Sequence, residues 1–325
     1  MTLNVAIQMD PIASINPKSD STLAIGIEAQ KRGHILYYYT PDTLSYHNGN
    51  VTAQAQPITL FADPARYYEF TGEKRPLDLS KMDVVLLRQD PPFNMTYLTT
   101  TYILEMLSPL LLPPRAGGVR GGTLVVNDPA SVRNHPEKLF PTLLRQYMPE
   151  TLITADVGEI GRFYLHHKDI IIKPLYGHGG RSIFRFRQED GNFHTLMELQ
   201  FAASKEPVVV QRFLPEVISE DRRIILIDGV VEGVMGRIPA EHEIRANLRL
   251  GGTASNVKLT PKQQEVCEAI GPMLKEKNIL FAGLDMIGDY LTEVNITSPT
   301  GMVQMGKLYG TQPEVKLWDA IEGRF

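Results

Sequence analysis

At 325 residues, 43% hydrophobic and 22% charged, the chain holds enough apolar material for several cores and is unlike a disordered polypeptide. A formal net charge of -4 excludes the basic field of a general nucleic-acid binder, and no run approaches the ~20 apolar residues of a membrane span. Cys267 is the one cysteine, which excludes an intrachain disulfide; with no charged-then-apolar leader at the amino end, a soluble, cytoplasmic protein is expected.

Residues 3–9 form a short apolar run that reads as a buried strand. Over 21–32 the apolar Leu23, Ala24 and Ile27 recur at helical spacing, with Asp20 or Ser21 as cap and Gly33 as stop. Residues 35–39, 84–87 and 123–126 read as strands and 97–107 as a helix, an alternation that predicts a parallel sheet covered on both faces. The stretch 109–122, with Pro113-Pro114 and two Gly-Gly pairs, is expected as a surface loop. Arg88 follows a strand end, where open parallel sheets gather ligands, so it is a candidate anchor for a substrate carboxylate.

A second unit is expected from residue 127. Pro136 suits a first helical turn and Glu137 its positive end, which would set Lys138 on a helix. Strands at 151–154, 170–173, 183–187 and 208–213 alternate with helices at 159–166 and 195–203. Inside this module Lys173-Pro174-Leu175-Tyr176-Gly177-His178-Gly179-Gly180 places a lysine at a strand end before a glycine loop. Glycines can bring backbone N–H groups close to phosphate oxygens, although a plain hairpin loop gives the same pattern.

The third unit starts at 214. Asp228-Gly229 joins two apolar runs and is a strong hairpin signal. Beyond it, Arg245, Asn247 and Arg249 stand in a polar loop, and Thr260-Pro261-Lys262-Gln263 is a capping box opening a helix. Cys267 borders the apolar face of that helix and reads as buried core. The eight histidines show no metal-binding spacing, although His166 and His167 are adjacent, so zinc chemistry is not expected.

Near the carboxyl end, LDMIGDYLTEVN (284–295) reads as two strands around Gly288-Asp289. Glu293 and Asn295, two apart, share a face, and Asp285 joins them only if the loop has the right parity. A three-residue loop, Gly288 to Tyr290, is the expectation. Two carboxylates and an amide oxygen on one face suit Mg²⁺, which takes few protein ligands; an ordinary hairpin with polar residues outward is the competing reading.

The order of these signals, with the stretches LLRQDPPFN, NDPASVRNHPEKLF, IIKPLYGHGG, QRFLPE, RANLRLGG and GLDMIGDYLTEVNITSPT, resembles the ATP-grasp enzymes and, among them, the bacterial-type glutathione synthetase family. The resemblance covers nearly the whole chain. It implies an α/β protein with the ATP-grasp fold: an N-terminal parallel α/β (pre-ATP-grasp) domain at 1–126, a small α+β lid domain at 127–213, and a C-terminal ATP-grasp catalytic domain at 214–325. By the same resemblance Lys138 and Lys173 would contact ATP phosphates, and Gly177, His178, Gly179 and Gly180 would close over them. Gln211, Arg212, Phe213 and Leu214 would line the adenine pocket, Asp221 and Arg223 would sit at the metal and γ-phosphate, and Asp285, Glu293 and Asn295 would hold Mg²⁺, two ions, with Mn²⁺ as a substitute. Arg88, Arg245 and Asn247 would help hold γ-glutamylcysteine, Arg245 would also stabilise an oxyanion, and Ser298, Pro299 and Thr300 would shape the acceptor region for glycine. A homo-oligomer, tetramer or dimer, and no nucleic-acid or membrane partner complete the expectation. Another ATP-grasp carboxylate–amine ligase and an ATP-binding module without turnover are the alternatives. Tyr176, His178, Gln89 and the stretch 109–122 depart from the family pattern.

Overall fold

The computed structural model describes residues 1–108, 122–188, 190–241, 243, 245–248 and 251–325. Nearly all of the loop expected at 109–122 lies outside the described residues.

Three sheets divide the described residues. The first contains β1 (Asn4–Gln8), β2 (Ile35–Tyr39), β3 (Leu44–His47), β4 (Asn50–Leu60), β5 (Tyr68–Phe70), β6 (Arg75–Asp78), β7 (Val84–Leu87) and β8 (Leu124–Val126), with α1 (Ser21–Lys31) and α2 (Met95–Glu105) between strands. Strands β2, β1, β7 and β8 run parallel, as the alternation predicts. The sheet as a whole is mixed, however, because β4 pairs antiparallel with β2, β3, β5 and β6. The parallel strands are near-continuous apolar runs and announce themselves; β3 to β6 are short and polar-rich, and nothing in their pattern separates them from loop.

After α3 (Pro129–Asn134) the second sheet holds β9 (Thr151–Thr154), β10 (Asp169–Pro174), β11 (Phe184–Arg187) and β12 (Val208–Arg212), in the order β11-β10-β12-β9, all antiparallel, with α4 (Val157–His167) and α5 (Phe193–Ala203). It has its own core of Ile160, Ile170, Ile172, Phe186, Phe193, Met197, Phe201, Val208 and Val210.

The third sheet is β15-β14-β13-β16-β17, built from β13 (Asp221–Ile227), β14 (Val230–Ile238), β15 (Thr253–Asn256), β16 (Phe281–Ile287) and β17 (Tyr290–Asn295). The helix α6 (Pro261–Glu276) carries the expected capping box, and Cys267 is buried on it, with burial pushing its thiol pKa up to about 12. Two last helices, α7 (Met302–Tyr309) and α8 (Pro313–Glu322), fold back so that Met305, Leu317, Trp318 and Ile321 share one core with Val5, Ile7 and Ile25 of the first sheet and its α1, and with Ile225 and Phe281 of the third. Asn127 adds a polar stitch: its Nδ2 donates to the carbonyls of Phe281 and Ile296 at 2.8 and 2.7 Å, and its Oδ1 accepts from the Phe281 N–H at 2.9 Å. The first and third sheets are thereby fastened together.

Lys138 is not on a helix. Pro136 disfavours helical backbone at His135, so α3 stops at Asn134, and 137–139 form a turn before a 3₁₀ segment at Phe140–Tyr147. That segment buries Phe140, Leu144 and Tyr147 against the third sheet, not the second. The hairpin loop is also shorter than expected. Ile287 pairs with Tyr290 across a two-residue turn, with Gly288 at φ +57°, the left-handed backbone such a turn gives to glycine. Asp285 nonetheless pairs with Glu293, because the register shifts between Asp285 and Met286: Thr292 is an extra residue, a β-bulge that restores the parity the short turn loses.

Candidate active site

A cavity of about 190 Å³ opens between the second and third sheets. Its third-sheet wall is a set of cross-strand pairs. Asp221 and Arg223, two apart on β13, share a face; Arg237 on β14 lies opposite Asp221, and Asp285 on β16 lies opposite Arg223. The side chains follow the ladder. Arg223 grips Asp285 with Nε and Nη2 (2.9 Å to Oδ2), Arg237 grips Asp221 at 2.6 and 2.8 Å, and Arg237 Nη2 also reaches Asp285 Oδ2 at 3.1 Å. All four residues are buried. Burial alone would raise the Asp285 pKa, but the adjacent Arg223 and Arg237 overcome it and hold the carboxyl at about 2. Asp221 goes the other way, burial raising it against the pull of Arg237.

Glu293 and Asn295 continue this face on β17. Glu293 Oε1 stands 3.2 Å from Lys138 Nζ, and Asn295 Nδ2 donates to the Gly283 carbonyl at 3.2 Å, so its Oδ1 is the atom able to act as a ligand. Asp285, Glu293 and Asn295 thus offer hard oxygens on adjacent strands, a donor set that fits a divalent cation such as Mg²⁺ or Mn²⁺.

The second sheet supplies the opposite wall. Lys173 sits at the end of β10, and burial brings its pKa down to about 8, opposed by the nearby charge of Glu293. Lys138 donates to the carbonyls of Gly177 and, at 3.5 Å, Leu175, so it ties the glycine loop to the Glu293 side of the cavity. Gly179 and Gly180 take φ +64° and +76°, which lets the loop turn back over the opening. Arg245 Nη1 donates to the Gly180 carbonyl at 3.1 Å, so the arginine loop and the glycine loop touch. The lining also includes the apolar Ile171, Ile183, Leu214, Val217 and Ile287, with Gln211, Arg212 and Phe213. His178, Gly179, Gly180, Asp221, Arg223, Arg245 and Asn247 also line it.

Arg88 and Ser298, Pro299 and Thr300 do not line this cavity. Arg88 is buried, its Nε donating to Thr22 Oγ1 at 3.0 Å and its Nη2 to the Pro299 carbonyl at 2.8 Å, while Ser298 Oγ donates back to the Arg88 carbonyl at 3.3 Å. Thr300 offers its carbonyl to Arg223 Nη1 at 3.2 Å. These residues form a brace running from the first sheet to Arg223.

Two site residues escape a reading of the sequence. Arg237 faces the cavity only because the β13–β14 register shifts between Ile225 and Leu226; Asp228 and Gly229, both at positive φ, make a two-residue turn that would otherwise set Asp221 opposite Gly236. Glu137 lines the cavity, and its Oε1 accepts from the N–H groups of Ile296 and Thr297 and from Thr297 Oγ1 at 2.6 Å. Burial first, and the Glu293 charge second, raise its pKa.

A glycine loop and buried lysines facing an acidic hairpin across a cleft between two antiparallel sheets define an ATP-dependent carboxylate–amine ligase of the ATP-grasp type, which uses ATP and a divalent metal. The fold is shared with D-cycloserine synthetase DcsG (TM-score 0.67, 11% identity, 99% of each chain covered). It is shared also with the ATP-grasp ligase PsnB complexed with minimal precursor (TM-score 0.61, 18% identity, 99% of each chain covered). The models for the prokaryotic glutathione synthetase N-terminal domain and ATP-grasp domain match residues 3–133 and 137–310. Glutathione synthetase of Mesorhizobium japonicum is 46% identical over 324 residues, covering 100% of this chain and 99% of the relative. That of Pseudomonas putida is 42% identical over 323 residues, covering 99% and 98%. The chain belongs to the prokaryotic glutathione synthetase family.

Proposed function

We propose that this protein joins the cysteinyl carboxylate of γ-glutamylcysteine to the amine of glycine, with ATP converted to ADP and phosphate. The observation that carries the reading is the convergence of Lys138, Lys173, the glycine loop and the Asp285–Glu293–Asn295 row on one cavity. A carboxylate is a poor electrophile, so it first takes the γ-phosphoryl group of ATP; the glycine nitrogen then attacks the acyl phosphate, loses a proton and expels phosphate.

In this reading Lys138 and Lys173 offset charge on the phosphates, and Gln211 to Leu214 line the pocket that takes the adenine. Asp285, Glu293 and Asn295 hold Mg²⁺, two ions, with Mn²⁺ able to replace it; when bound, the ions supply charge stabilisation to the phosphoryl oxygens. Arg223 and Arg237 keep Asp285 ionised and aimed. Arg245 and Asn247 hold the peptide substrate, and Arg245 stabilises the oxyanion formed as glycine attacks. Arg88 joins them in helping to hold γ-glutamylcysteine, and Ser298 to Thr300, braced to it, shape the acceptor end. Contact between the arginine and glycine loops excludes the water that would hydrolyse the acyl phosphate. The segments 1–126, 127–213 and 214–325 act as substrate, lid and catalytic units of a cytoplasmic dimer or tetramer. Among the described residues no helix is long and apolar enough to cross a membrane.

The test is phosphate release with ATP and Mg²⁺. Release that requires γ-glutamylcysteine and glycine together is expected; none with that pair, or equal release when glycine is omitted, overturns the assignment.

A further inference from the structure

At the end of α4, away from the cavity, a second group of ligand-type side chains converges. Glu150, from the segment leading into β9, meets the adjacent His166 and His167, and one ligand atom from each lies within 4.8 Å of the other two. None of the three lines the ATP cavity.

The arrangement is more than a chance surface cluster. The His167 side chain is only 7% exposed, its ring packed 4.2 Å from that of Phe163 between centroids. Its Nε2 is buried and, among the described residues, makes no hydrogen bond; it lies 3.3 Å from Glu150 Oε1, with which it forms an ion pair when the ring is protonated. A buried neutral imidazole nitrogen that makes no hydrogen bond is costly, and a cation bound between it and the carboxylate would satisfy both. The ring of His166 stands at 90° to that of His167 with centroids 4.7 Å apart, which brings a second imidazole to the same point. Both histidines occupy the last turn of α4, where the negative end of the helix dipole favours a cation.

The spacing fits a small transition-metal ion. Metal–ligand bonds of about 2.0–2.2 Å place neighbouring ligands of a tetrahedral site roughly 3.3 Å apart, the separation Glu150 Oε1 and His167 Nε2 already have. Only His166, which is exposed, must swing inward. Imidazole nitrogens select zinc and its neighbours over Mg²⁺, so the site differs in chemistry from the all-oxygen set on β16 and β17.

We propose that Glu150, His166 and His167 form a binding site for a divalent transition metal, zinc foremost, with the fourth position open to water. The bound ion would pin the end of α4 to the start of β9. The Glu150 carbonyl accepts from the Arg212 N–H at 3.2 Å, and Arg212 lines the adenine end of the cavity, so the site is coupled to the nucleotide wall by one residue.

The experiment titrates zinc chloride into the full chain held in millimolar Mg²⁺, which keeps the oxygen-ligand centre filled, and repeats it with Co²⁺ as a visible probe. One equivalent is expected to bind, with the d–d absorption of a four-coordinate site. Glu150→Gln and His166→Ala, both at exposed positions, should each weaken binding by at least about tenfold, whereas Glu293→Ala should leave it unchanged. Equal zinc affinity in wild type and His166→Ala overturns the proposal. So does binding that disappears in Glu293→Ala, since the ion would then belong to the ATP site.

Discussion

The two sheets that face each other across the cavity are built on different rules. In the third sheet, β13–β14 and β16–β17 are both closed by two-residue turns, and each hairpin carries a one-residue register shift before its functional pair. Chemistry there depends on which way a side chain points, and Asp221 with Arg237, and Asp285 with Glu293, share a face only through those shifts. The second sheet runs without a register shift and works differently. It contributes one strand-end lysine, a glycine loop that offers backbone groups, and an apolar wall, none of which needs a corrected parity. The sheet that must aim carboxylates is also the one fastened into the core around Trp318, whereas the other keeps a core of its own. Side-chain direction is set on the anchored wall, and adjustable backbone sits on the separate one.

The largest effect is expected from breaking the anchored wall. Asp285→Ala would leave Arg223 a buried charge without its carboxylate, with Arg237 still held by Asp221, costing about 3–5 kcal/mol of stability, and would lower turnover by at least about 10³-fold. Glu293→Ala removes a proposed metal ligand from the same face and, in the fold, an ion pair with Lys138 in place of a double arginine clamp, so turnover should fall by about 10²-fold or more with much less loss of stability. Denaturant unfolding beside phosphate release measures both. If the two variants lose equal stability, the buried arginine–aspartate ladder is not the anchor of this wall.

A smaller effect tests the second wall through pH. Lys173 has a pKa of about 8 in the fold against 10.5 when free. Below pH 8 it is charged in both states and its burial opposes folding. Between about 8 and 10.5 the unfolded chain holds more protons, so stability from this group rises with pH and is complete above 10.5. ATP binding should show the opposite trend: as pH climbs above 8 the lysine loses the charge proposed to meet phosphate, and kcat/KM for ATP should decline by up to about tenfold per pH unit. Lys173→Arg, charged throughout, should flatten that decline. A wild-type profile that stays level from about pH 7.5 to 9.5, a window spanning the lysine's titration, would remove Lys173 from the phosphate site.

The smallest effect belongs to the glycine loop. Gly179 has φ +64°, and a Cβ added there would meet none of the described residues within 4 Å, so Gly179→Ala opposes a backbone preference without a clash among them. That preference is worth about 1–2 kcal/mol, which should appear as a several-fold rise in KM for ATP, with stability lowered by no more than that amount.

Much of the fold and site is legible in the sequence. Apolar strand runs, the capping box at Thr260, the Asp228-Gly229 turn and the order of lysine, glycine loop and acidic hairpin all announce themselves because each is local. What stays hidden is non-local. Sequence alone puts Lys138 on a helix, since Pro136 can open one as readily as prevent one; the turn it makes instead is held by Glu137, whose carboxylate reaches Ile296 and Thr297 far along the chain. Arg237 cannot be assigned to the cavity without knowing the shift at Ile225. Glu150 and His167 are separated by α4, so no count of histidine spacing reveals that they meet. Arg88 is legible as a strand-end residue of consequence, but its bond to Pro299 depends on a loop more than two hundred positions away.

The bulge at Thr292 has a further consequence. Its hydroxyl donates to the Asp285 carbonyl at 3.0 Å, so the extra residue is itself clamped to the strand it faces. A three-residue loop with a regular ladder and a two-residue turn with one bulge both bring Asp285 level with Glu293. Turn length and ligand alignment are therefore separate adjustments, as the coarse and fine screws of an optical mount are. The tip at Gly288 and Asp289 can be exchanged for a longer loop, provided a compensating residue is withdrawn at 292, and the three oxygens will still look the same way.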